Sequence, residues 1–104
     1  MNDKVKTSRW DASEFLGHPE DVAAYLQVAF ATGDPKQIAK ALGNAAKAQG
    51  MMDVSSKTGL TREHLYVSLS ENGNPTLQTL TMVMDTLGYQ LAVVPKNREQ
   101  HTLS

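Results

Sequence analysis

Apolar residues recur along most of this chain at helical spacing rather than in alternation. In "FLGHPEDVAAYLQVAFATG", Val22, Leu26, Ala29 and Phe30 share one stripe of a helix. Pro19 suits a first helical position, Glu20 and Asp21 complement the positive end of the helix dipole, and Gly33 closes the element. The pattern restarts at once in "GDPKQIAKALGNAAKAQG". Asp34 is a capping residue and Pro35 follows it. Ile38, Leu42, Ala45 and Ala46 form the stripe to be buried, with Lys36, Lys40 and Lys47 outside it. Gly43 costs this helix about 1 kcal/mol relative to alanine, so tertiary packing must hold it. Gly50 is a suitable stop.

Three shorter helices are expected next. One spans Met51 to Thr58. Another runs from Thr61 to Ser70, capped by the Thr61 hydroxyl and ended by Asn72-Gly73. The last starts at Asn74-Pro75 and reaches about Leu87, with Leu77, Leu80, Val83, Met84 and Leu87 on its apolar side and Gly88 as its stop. "YQLAVVP" then breaks the helical period. Its β-branched run predicts a strand over residues 89–94, which would pair with its own copy in a dimer. The expected fold is all-α: five helices and one short C-terminal strand. Residues 1–10 form a flexible N-terminus, 11–94 a single domain, and 95–104 a tail.

Composition narrows the class without choosing a function. At 104 residues and 40% hydrophobic, the chain can bury one modest core, and dimerisation would add to it. It has no cysteine, hence no disulfide and no thiolate metal site. "MNDKVKTSRW" lacks an apolar leader core and no run reaches transmembrane length, so a cytoplasmic protein with no membrane association is expected. His18, His64 and His101 match no metal-ligand spacing, and no cofactor is expected. A Gly-rich phosphate loop, an HExxH pair and a cysteine nucleophile are all missing, which argues against an enzyme. Most of Met51, Met52, Met82 and Met84 are expected in the core, as are Trp10, Phe15, Tyr25 and Phe30.

Charge is unevenly distributed. Residues 1–35 carry three Lys or Arg against six acids, while residues 36–66 carry five against two. An acidic front and a basic middle suit two partners.

The most informative stretch is "SSKTGLTREHLYVSLSENGNP". Two helices joined by about three residues cross steeply, as in helix-turn-helix units. Gly59 supplies the left-handed turn residue, Leu60 plugs the space between the helices, and Leu65 and Leu69 point to the core. Such a helix can present its first residues to a DNA major groove. Arg62 matches the O6 and N7 acceptors of guanine, and Glu63 the N4 donor of cytosine. His64 can donate to a base or a phosphate. Lys57, Thr61 and the Asn72–Asn74 loop are placed for phosphates. Tyr66 is expected to pack rather than stack.

"SKTGLTREHLYVSLSENGNPTLQTLTMVMDTLG" resembles the Xre-type helix-turn-helix family of lambda-like repressors, with the motif at about residues 51–70. More narrowly, residues 10–94 resemble the probable addiction-module antidote family of HigA-like antitoxins. The front "WDASEFLGHPEDVAAYLQVAFATGDP", the "GLTREHLYVSLSENGNP" block and the "YQLAVV" segment carry that likeness. The resemblance implies a homodimer that binds double-stranded operator DNA, represses its own operon and neutralises a RelE-like toxin, usually an mRNA-cleaving ribonuclease. By position, it places Thr61, Arg62, Glu63, His64 and Val67 against bases or adjacent phosphates. Two departures stand out. Met51 or Met52 occupies the place of a frequent phosphate-binding Gln, and Ser55 that of a small apolar residue. Both lower the DNA affinity expected of one unit and shift the burden to the dimer. A stand-alone repressor and a protein-interaction adaptor without DNA binding are the alternative readings.

Overall fold

The computed structural model describes residues 18–96. The expectations for the N-terminus, the C-terminal tail, Trp10, Phe15 and His101 lie outside the described residues. Within them the chain forms five helices: α1 Pro19–Ala31, α2 Pro35–Gln49, α3 Met51–Thr58, α4 Arg62–Ser68 and α5 Leu77–Leu87. No helix there is long and apolar enough to cross a membrane.

Local chemistry sets most boundaries. The Asp34 carboxylate accepts from the Lys36 N–H at 3.0 Å and starts α2. The Thr76 hydroxyl accepts from the Thr79 N–H at 3.1 Å and starts α5. That cap lies beyond the expected start, so Asn74-Pro75 is a lead-in rather than a first turn. At the other end, α4 stops at Ser68 because Leu69 leaves the helical region at φ −102°, ψ 48°.

α2 is the hub, packed against each of the other four helices. Burial on α2 is wider than one stripe: every residue from Ala41 to Ala46 is buried. Alanines and a glycine make this possible, because small side chains let neighbouring backbones come close. Gly43 shows the reason for its own presence. A Cβ there would strike the backbone carbonyl of Leu69, so the residue that weakens α2 locally is what lets the end of α4 seat on it. Around the hub, Leu26, Ala29, Met51, Val54, Leu65, Leu69, Val83 and Met84 close the core. Val22, Tyr25, Phe30, Ile38, Leu60, Leu80 and Leu87 pack against its edge.

Two expectations fail. Leu77, assigned to the apolar side of the last helix, is 72% exposed: at ~100° per residue it stands on the flank of the stripe that Thr79, Leu80, Val83 and Met84 turn to the core. Of the four methionines, Met51 and Met84 are buried and Met82 is half-buried, while Met52 is exposed. Residues 89–96 carry no strand. A ladder needs a second edge, and a helical core offers none. The segment leaves Leu91, Val93 and Val94 exposed, Val93 almost completely.

Candidate nucleic-acid interface

The turn between α3 and α4 is Gly59-Leu60-Thr61. Gly59 lies at φ 80°, ψ 4°, in the left-handed region. A side chain there would cost about 1–2 kcal/mol. Two hydroxyls brace the turn. Thr58 Oγ1 donates to the Val54 carbonyl at 2.8 Å and accepts from the Leu60 N–H at 3.2 Å. Ser55 Oγ donates to the Leu60 carbonyl. The departure at Ser55 therefore has a use, since its hydroxyl ties α3 to the turn. Leu60 packs against the core, as its plugging role requires.

Thr61 then opens α4, its hydroxyl accepting from the His64 N–H at 3.0 Å. Leu65 and Leu69 are buried and fix how the short helix is rotated. With ~100° per residue, Glu63 and Val67 fall opposite the two leucines, on the outermost face. Val67 is 70% exposed. Arg62, Glu63 and His64 are exposed as well. Thr61, Arg62, Glu63 and Val67 are all accessible, but only Glu63 and Val67 share the outer face: at ~100° per residue Arg62 lies nearer the leucine side, at the exposed first turn.

Other site expectations are modified. His64 sits on the flank toward α5, with Nε2 at 3.5 Å from Thr79 Oγ1, so its ring is partly occupied within the chain. Tyr66, expected to pack, is 51% exposed on the α2 side of α4. Lys57 Nζ lies 3.4 Å from the Asp53 carboxylate one turn earlier. The Gln49 side-chain amide, donating at 2.9 Å, holds the Asp53 carboxyl below its ordinary value, and Lys57 adds to this. Both groups of that ion pair are well exposed, so it leaves Lys57 accessible to another anion. Asn72 and Asn74 are exposed in the loop after α4. Gly73 between them lies so close to the Val67 and Ser68 carbonyls that a Cβ would not fit, which holds the loop against the end of α4.

One feature beside this surface went unassigned in the sequence: the Lys36, Lys40 and Lys47 side of α2. Its signal was the spacing of three lysines on the solvent side of an apolar stripe. A cleft of about 220 Å³ joins Lys40 and Lys47 to Tyr66 and Ser70.

Residues 6–95 match the family model described as "Probable addiction module antidote protein". An uncharacterized protein of Haemophilus influenzae strain Rd is 36% identical over 93 residues, spanning 89% of this chain and 94% of its own. No solved structure matches. Matched over most of its length by the family model, the chain belongs to the probable addiction module antidote proteins, the antitoxin side of toxin–antitoxin pairs.

Proposed function

We propose that this antitoxin is a DNA-binding autorepressor of the Xre, HigA-like type. It acts as a homodimer and neutralises a RelE-like toxin. The observation that carries the DNA-binding part is the build of α4. Gly59, the Thr61 cap and two buried leucines hold the helix from one side, leaving Glu63 and Val67 on its outer face and Arg62 exposed at its first turn. Those three offer a bidentate donor, an acceptor and an apolar contact, the three chemistries by which base edges are read in a major groove. Lys57, Asn72 and Asn74 stand on either side in sequence and supply phosphate contacts.

The exposed apolar segment at residues 91–94 supports the dimer. A β-branched run outside any helix, with Leu91, Val93 and Val94 uncovered, is suited to pairing with a second copy. A two-fold dimer places two α4 helices in successive major grooves, about one helical turn apart. Repression then follows from occupying the promoter.

Co-expression with the neighbouring reading frame tests the antitoxin mechanism. The chain is expected to co-purify with a small basic ribonuclease, and the complex to retard the operon's own upstream DNA. A co-purified toxin whose complex ignores that DNA would remove autorepression from the account. A chain that shifts the DNA but retains no toxin would leave a stand-alone repressor.

A further inference from the structure

Lys36, Lys40 and Lys47 lie within about 40° of one another around α2 at ~100° per residue. All three are exposed. The stripe runs beside α4, and the two meet in the 220 Å³ cleft lined by Lys40, Lys47, Tyr66, Ser70 and Glu71. Asn44 also lines it, its amide fixed by donating to the Tyr25 hydroxyl at 2.8 Å. Tyr66 precedes Val67, so the cleft opens directly beside the face assigned to base contacts.

A helix in a major groove is flanked on both sides by phosphate strands. The cleft offers what such a strand needs: two ammonium groups on one helix face, a phenol and a serine hydroxyl. Glu71 opposes them. Its carboxylate lies 3.6 Å from Lys40 Nζ, with both side chains about 60% exposed. A pair this wet is held loosely and can exchange its carboxylate for a phosphate without burying a charge.

We propose that Lys40, Lys47 and the Tyr66 hydroxyl form a phosphodiester-binding wall for duplex DNA, and that Glu71 is a built-in competitor that weakens it. The inference rests on the reading that α4 binds DNA. It adds an element outside the turn and its two helices, one that contributes affinity without sequence preference. It also explains how a chain of net charge −1 can hold DNA: the favourable field is local to α2 and α4 rather than global.

The test is fluorescence anisotropy with the full chain, on its own upstream duplex and on a scrambled duplex, between 50 and 200 mM salt. Four proteins are compared: wild type, K40A/K47A, E71Q and K96A. Removing two phosphate contacts should lower the slope of log affinity against log salt by about 1.8. Wild type should therefore lose about twelve-fold more affinity than K40A/K47A over that range. The preference between the duplexes should not change. E71Q should bind both duplexes more tightly, an effect in the opposite direction that misfolding would not produce. K96A, which removes an exposed lysine that does not line the cleft, should leave the slope alone. A wild-type slope in K40A/K47A, with no gain in E71Q, overturns the wall while the DNA-binding reading stands if wild type still prefers its upstream duplex. A wild type without preference or salt dependence overturns both.

Discussion

α2 and α4 are neighbours held by opposite means. α2 is buried through six consecutive residues and touches every other helix. α4 has seven residues and is anchored by Leu65 within it and Leu69 at its cap. An isolated helix that short does not form in water. It exists because its cap, its turn and the surface of α2 hold it. The contrast separates two jobs. Substitutions inside α2 should be read in stability, and those on the outer face of α4 in binding.

The largest test of that contrast is Leu42→Ala. Leu42 is fully buried in the hub, and its truncation should cost about 2–5 kcal/mol, read as a fall in thermal midpoint. A small fall would mean that α2 is not the hub. Gly43→Ala sharpens the comparison through its sign. At an ordinary helix position the change would stabilise by up to about 1 kcal/mol. Here the new methyl meets the Leu69 backbone, so a loss of about 1–3 kcal/mol is expected in chemical denaturation.

On α4 the expectation reverses. Arg62→Ala should weaken binding to the upstream duplex by about 1–3 kcal/mol while leaving the melting curve within about 0.5 kcal/mol of wild type. A variant that melts early but binds normally would swap the roles of the two helices. Thr61→Ala lies between the two classes. Losing the cap should cost about 1 kcal/mol of stability and weaken DNA binding, since α4 has little else to hold its start.

The smallest expected effect is at Asp53. Its carboxyl is held below the ordinary value by Gln49 and Lys57. A lowered value means that the contribution is present above the ordinary aspartate range and is lost as pH falls through the lowered one. Carboxyl chemical shifts followed on acidification should place the Asp53 midpoint below that of a solvated aspartate. In Gln49→Ala that midpoint should move back up.

The five helices were legible because their signals are local. Gly59, Thr61 and Gly88 act within a residue or two of where they sit. What the sequence hid depends on distant pairs. Gly43 looks like a defect until Leu69, far along the chain, is brought against it. His64 looks free until Thr79 approaches. Leu77 fits the apolar stripe of α5 by its spacing to Leu80 and Met84, but the core lies nearer Thr79 and Val83 and leaves it on the flank. The "YQLAVV" run announces extended backbone, whereas a strand also needs a partner that composition cannot supply. At the candidate interface, the outer placement of Glu63 and Val67 was readable from the spacing of Leu65 and Leu69. The lysine side of α2 was visible as a pattern, but its juxtaposition with Tyr66 was not.

The most direct measurement of the central claim is anisotropy of the wild-type chain on its own upstream duplex and on a scrambled one, at low and moderate salt. The account predicts tighter binding to the upstream duplex, weakening as salt rises because phosphate contacts release counterions. Equal and feeble binding to both would contradict it, and would leave α4 as scaffold for a protein partner.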